Sequence, residues 1–149
     1  LVLTRQALPA QPRQAAQIAA IRRGGYVLRD ADRVDLILIA TGSEVALAVA
    51  AADALAAKGH GVRVVSMPCP TVFAAQDAAW REAVLPAAIK HRIAIEAGVT
   101  ETGHRWVGTA GRVVGGDTFG KSAPAKDLFQ HFGFTPERIA KEALELLGA

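Results

Sequence analysis

The segment Gly115-Gly116-Asp117-Thr118-Phe119-Gly120-Lys121-Ser122 fits the pattern G-x-x-x-x-G-K-[ST]. In a working site of that type, backbone amides cradle a diphosphate, the lysine reaches the terminal phosphates and the hydroxyl holds Mg²⁺. Two neighbours oppose it. Pro124 falls in the first turn of the helix that should follow, and it pushes Ala123 away from helical geometry. No aspartate ends an apolar strand to supply the second Mg²⁺ contact; Glu96, after Arg92-Ile93-Ala94-Ile95, is the best substitute. With 14 glycines in the chain, such a match arises readily by chance. A second candidate is Glu96, Glu101 and His104, for metal binding or acid–base work. The spacing of Glu101 and His104 suits one helical face, but Gly98 and Gly103 favour a loop and helix cap with a polar rim. Neither H-E-x-x-H nor a second nearby histidine accompanies them.

Cys69 stands between two prolines as a constrained loop thiol. A nucleophilic role needs a base and an orienting group, and sequence alone does not bring His91 or His104 beside it, so an inert thiol is expected. Ser43 precedes a helical pattern and reads as a plain N-cap, with anion binding at the helix start as the alternative. His60 (between two glycines), His91 (before a strand) and His131 (beside Phe132) read as structural. Arg5 follows Leu1-Val2-Leu3-Thr4, which reads as the end of a strand. An arginine there can hold a phosphate through two parallel hydrogen bonds, or be a solvated charge near a chain end. The residues alone leave these two readings even.

The elements that position these side chains follow from patterning. The run Leu36-Ile37-Leu38-Ile39, within a strand expected over Val34–Ala40, suits burial on both faces of a parallel sheet. Val45, Ala48, Val49, Ala52, Leu55 and Ala56 then recur on one helical face, and Lys58-Gly59 closes that helix. Val62–Met67 completes a strand–helix–strand unit. Pro68-Cys69-Pro70 predicts no regular structure. A helix over Asp77–Leu85, strands at His91–Ala97 and Arg112–Val114, and a helix from Ser122 to Phe132 follow. Thr135-Pro136-Glu137 opens a last helix, which buries Ile139, Ala143, Leu146 and Leu147. Ahead of these lie a short strand at Tyr26–Asp30, a linker from Pro9 and a short helix around Gln14–Ile21. Strands alternating with helices imply an α/β fold, a three-layer α/β/α sandwich, with its sites in the loops beyond the carboxyl ends of the strands.

Composition narrows the function classes. The 149 residues are 51% hydrophobic and 21% charged, a globular balance that excludes intrinsic disorder. No apolar run approaches the roughly 20 residues of a membrane helix, and no secretory signal is visible. A single cysteine makes no internal disulfide, which favours a cytoplasmic setting. The formal charge is +3, the 17 basic residues are dispersed and aromatics are few, so nucleic-acid binding is not expected. The absence of an initiator Met and the opening apolar pattern predict a piece of a longer polypeptide.

Several segments, in order, carry a resemblance. They are Leu3-Thr4-Arg5-Gln6, Arg23-Gly24-Gly25-Tyr26-Val27-Leu28, Ile39-Ala40-Thr41-Gly42-Ser43-Glu44-Val45, Val64-Val65-Ser66-Met67-Pro68, Glu96-Ala97-Gly98, Thr118-Phe119-Gly120, Ser122-Ala123-Pro124 and Phe132-Gly133-Phe134-Thr135. Together they resemble the carboxyl-terminal part of the transketolases. The resemblance implies a mixed, mostly parallel five-stranded sheet with one antiparallel edge strand. It implies that residues 1–22 are the end of a preceding pyrimidine-binding domain and its linker, and that residues 23–149 are the carboxyl-terminal domain.

The activity implied is transfer of a two-carbon ketol unit between sugar phosphates, using thiamine diphosphate and a divalent metal (Mg or Ca). In the family, that cofactor lies between the two preceding domains, across a homodimer interface. The family's G-D-G with paired asparagines is absent from this chain, so the piece alone is expected to bind neither group and to serve packing and dimer completion. Arg5 looks like the family's arginine that binds the substrate phosphate. Lys121 fills a variable slot of Phe-Gly-x-Ser, which demotes the phosphate-loop match; a free-standing nucleotide-binding module remains the alternative. Pro68-Cys69-Pro70-Thr71 and Gly103-His104-Arg105-Trp106 depart from the family pattern, so no role carries over to them.

Overall fold

Leu36–Ala40 is apolar at every position because both faces of that strand are covered: Leu36, Ile37 and Leu38 expose no surface. The computed structural model describes Thr4 and residues 6–149. The expected strand end at Leu1–Leu3 and the candidate Arg5 lie outside the described residues. The strands are β1 (Tyr26–Arg29), β2 (Leu36–Ala40), β3 (Val62–Ser66), β4 (Arg92–Ile95) and β5 (Arg112–Val114). The helices are α1 (Ala15–Ala20), α2 (Glu44–Ala56), α3 (Pro70–Ala74), α4 (Ala78–Val84), α5 (Glu101–Val107), α6 (Ala125–Phe132) and α7 (Pro136–Leu147).

The sheet order is β1-β3-β2-β4-β5, with β1 antiparallel to β3 and the other pairs parallel. This is the expected three-layer sandwich. Alternate side chains of each strand point to opposite faces. Leu36, Leu38, Val64, Ile93 and Ile95 form one core with Leu55 of α2 and Ile139 of α7. Ile37, Ile39, Val65 and Met67 form the other, with Phe73 of α3 and Val84 of α4. Each fully buried Leu or Ile stabilises the fold by about 1.5–3 kcal/mol.

Ion pairs and carbonyl contacts fix the helices to this sheet. Arg92 at the start of β4 donates to the carbonyls of Leu85, Pro86, Ile89 and Trp106, at 2.7–3.1 Å, and so joins the end of α4 to α5. Arg112 on β5 pairs with Glu142 (2.6 Å) and Glu145 (2.7 Å) of α7. Thr135 caps α7 by accepting from the Arg138 N–H, with Pro136 in the first turn, as the pattern predicted. The free edge of β1 is covered by Gln17, which donates to the Val27 and Leu28 carbonyls.

Three expectations about elements are corrected. Pro68-Cys69-Pro70 does not exclude regular structure: Pro70 occupies the first turn of α3, where its missing N–H costs nothing. Glu101 and His104 are on a helix, α5, rather than in a loop. Gly103 is there because α5 lies close on the sheet: a Cβ would come within 2.8 Å of Val113 Cγ1 and 3.1 Å of Ala94 Cβ. The helix expected from Ser122 starts only at Ala125, after Pro124 in extended geometry (ψ 140°).

Candidate functional site

In this strand order, the chain leaves β2 toward β3 on one side and returns to β4 on the other. Open α/β sheets bind ligands at such a reversal, beyond the carboxyl ends of the strands. Here the loops after β2 (Thr41–Ser43) and β4 (Glu96–Thr100) flank a cleft of about 390 Å³. Its floor is Ile39, Ala40, Ala94 and Ile95; Thr41, Thr71, Glu96, Glu101, Thr102 and Trp106 stand around it. Thr102 Oγ1 donates to the Val99 carbonyl at 3.0 Å and reaches Glu96 Oε2 at 3.4 Å.

Ser43 stands at the N-cap position of α2, as expected, but its side chain does not cap the helix. Its backbone is already helical (φ −65°, ψ −29°), and its side chain makes no capping bond. The hydroxyl instead donates to Glu44 Oε1 at 2.9 Å. Glu44 is the one buried acid among the described residues, 4% exposed. Burial pushes its carboxyl above the ordinary 4.5; the Ser43 bond opposes this, and the nearby Glu96 charge adds to it. The folded state therefore holds more protons than the unfolded one once pH exceeds about 4.5, and stability falls as pH rises through the elevated value. Glu44→Gln keeps an acceptor for Ser43 and removes that titration. Thermal melts are expected to show a higher Tm for the variant near pH ~8 and no gain near pH ~4. Equal gains at both would remove Glu44 as the cause.

The remaining candidates do not assemble into a catalytic centre. Among the described residues, no three His, Cys, Asp or Glu side chains gather as metal ligands. Glu101 and His104 share α5 and are exposed. Cys69 is half-buried at the start of α3; its N–H donates to the Gly24 carbonyl and its own carbonyl accepts from Phe73. His60 follows the end of α2, His91 precedes β4, and His131 lies edge-on to Phe132.

The Gly115–Ser122 segment has the wrong shape for a phosphate loop. It runs without helix from β5, and the helix begins three residues beyond Ser122. The helical amides that would face a phosphate are therefore displaced from Lys121 and Ser122. Asp117 is spent on Thr100, accepting from its N–H and its hydroxyl, both at 2.8 Å, which holds its carboxyl below the ordinary range. Phe119 projects with 98% of its surface exposed. The nucleotide-binding alternative is thus overturned by the position of the helix start.

Comparison with known proteins agrees with this geometry. Residues 24–135 match the family described as the transketolase-like TK C-terminal domain. The chain is 57% identical over 148 residues to transketolase 1 of Vibrio cholerae, covering 99% of this chain and 22% of that protein. It is 55% identical over 151 residues to transketolase 2 of Pasteurella multocida, of which it covers 23%. Among solved structures, the transketolase of Leishmania mexicana superposes with a TM-score of 0.81 at 40% identity, over 88% of this chain and 19% of that one. A Pichia stipitis transketolase in complex with fructose 6-phosphate gives 0.86 at 33% identity, over 97% and 20%. The chain spans less than a quarter of the length of these relatives. With the family match spanning residues 24–135 and the fold superposing on solved transketolases, the chain belongs to the transketolase family and matches its carboxyl-terminal domain.

Proposed function

We propose that this chain acts as the carboxyl-terminal domain of a transketolase that moves a two-carbon ketol unit between sugar phosphates. The observation that carries this reading is the 57% identity, maintained over 99% of the chain, to a protein named for that activity. Residues 1–22 would end the preceding pyrimidine-binding domain and its linker, and residues 23–149 would form the carboxyl-terminal domain. Thiamine diphosphate and a divalent metal, Mg or Ca, would be held by the preceding domains of a homodimer; when bound, the cofactor supplies the carbanion that carries the two-carbon unit. The contribution of this chain is a rigid packing unit and one cation, Arg5, placed to hold the substrate phosphate. The place of such a reaction is the cytoplasmic pentose phosphate pathway. Among the described residues, no helix is long and apolar enough to cross a membrane. The complete polypeptide, supplied with thiamine diphosphate and Mg²⁺, is expected to convert xylulose and ribose phosphates into products longer and shorter by two carbons. No transfer by the purified complete protein would refute the reading.

A further inference from the structure

Helices α3, α4 and α5 enclose a pocket of about 300 Å³ beside the start of β4, whereas the cleft after β2 and β4 lies beyond the end of that strand. Three guanidiniums border the pocket: Arg81 from the last turn of α4, Arg92 from β4 and Arg105 from the last turn of α5. Among the described residues none of the three makes an ion pair, although five arginines elsewhere hold an aspartate or glutamate at 2.5–3.0 Å. The one carboxylate on the wall, Glu82, accepts from the Ala87 N–H at 2.9 Å.

Backbone carbonyls hold two of these guanidiniums in place. Arg81 Nη1 donates to Ala74 at 2.8 Å. Arg92 donates once through Nε, once through Nη1 and twice through Nη2, which leaves one Nη1 N–H of its five unused. Burial pushes the Arg92 guanidinium below its ordinary value, opposed by the Glu82 charge, so a further anion alongside it would be favourable. The remaining wall is aromatic. Trp106, half-buried, stands against Phe73 with ring centroids 5.4 Å apart, and Arg105 Cζ lies 5.2 Å from the centre of the Trp106 ring.

We propose that this pocket binds a small aromatic phosphate monoester, with its phosphate among Arg81, Arg92 and Arg105 and its ring against Trp106. Three cations against one carboxylate leave two positive charges to be met. A phosphate monoester carries that charge above its second pKa of about 6. Guanidinium forks bond pairs of phosphate oxygens, and aromatic faces take flat rings. The volume is at the small end of ligand pockets, which begin at about 300 Å³. The cleft after β2 and β4 does not compete for such an anion, because Glu96 and Glu101 stand there. The pocket is distinct from the phosphate contact proposed for Arg5 and does not rest on the transketolase reading.

Calorimetric titration of the complete polypeptide with phenyl phosphate tests this, in an Arg5→Ala background that silences the substrate phosphate contact. One saturable site per chain is expected, with a Kd of about 0.1–1 mM. Inorganic phosphate, which lacks the ring, and phenol, which lacks the charge, should each bind at least about tenfold more weakly. Arg81→Ala and Arg105→Ala, both at exposed positions, should each weaken phenyl phosphate about tenfold. Arg105→Lys keeps the charge without the fork and should recover part of that loss. No saturable binding by about 10 mM, an affinity that survives both alanine substitutions, or equal binding of phenol or inorganic phosphate would each overturn the assignment.

Discussion

Replacing Arg5 by alanine in the complete enzyme is expected to raise KM for phosphorylated sugars by roughly 10- to 150-fold, with kcat little changed. A charge-assisted, two-pronged contact to phosphate contributes about 1.5–3 kcal/mol, and each 1.4 kcal/mol is a factor of ten. The phosphate is remote from the bond being broken, so its binding energy is the same in the ground and transition states and appears in KM. Two controls distinguish this from a structural role. Arg5→Lys keeps the charge but loses the fork geometry, and its KM should fall between those of the parent and the alanine variant. Unphosphorylated acceptor sugars should show no change with either substitution. An alanine variant with the parent KM for sugar phosphates removes Arg5 from the substrate site.

Gly24→Ala is expected to destabilise the 149-residue chain by about 3 kcal/mol, a fall in Tm of roughly 6–12 °C. Gly24 has φ +81°, which costs an L-residue about 1–2 kcal/mol. Its position adds a clash: a Cβ would lie 2.5 Å from the Cys69 carbonyl oxygen and 2.6 Å from the Phe73 nitrogen, at the start of α3. Those atoms are backbone, so no side chain can rotate away. The Gly24 carbonyl also accepts from Cys69 N–H at 3.0 Å, which locks the two segments together. Gly59→Ala is the matched comparison, since Gly59 has φ +86° and nothing within 4 Å of its Cβ position. It should lose only the conformational part, about 1–2 kcal/mol. Equal losses at the two sites would show that the contact with α3 is unimportant.

Much of this architecture is legible in the sequence because its strongest signals are local. The unbroken run at Leu36–Ile39 can be satisfied only by a strand covered on both faces, and it is. Thr135-Pro136-Glu137 starts α7 through the hydrogen bond its side chain suggests. The misread elements are those where a tertiary contact reverses a local preference. Gly103 lowers helix propensity, yet α5 can approach Val113 and Ala94 only because that position lacks a side chain. Pro70 breaks a helix from within but starts one at its first turn. Ser43 has a capping residue's identity and position, but its backbone is already helical and its hydroxyl donates to the buried Glu44 carboxylate instead. The cleft beyond β2 and β4 depends on strand order, which no local pattern encodes. The role proposed for Arg5 rests on the family resemblance, because a lone arginine carries no distinguishing periodicity. The phosphate-loop match failed for a readable reason, Pro124, which delays the helix.

The most direct measurement is turnover by the 149-residue chain by itself, given xylulose and ribose phosphates, thiamine diphosphate and Mg²⁺. The expected result is no ketol transfer from the chain alone, and transfer restored when the preceding domains are supplied on a separate polypeptide. Sustained transfer by the chain alone would contradict the claim that the reacting groups lie outside it.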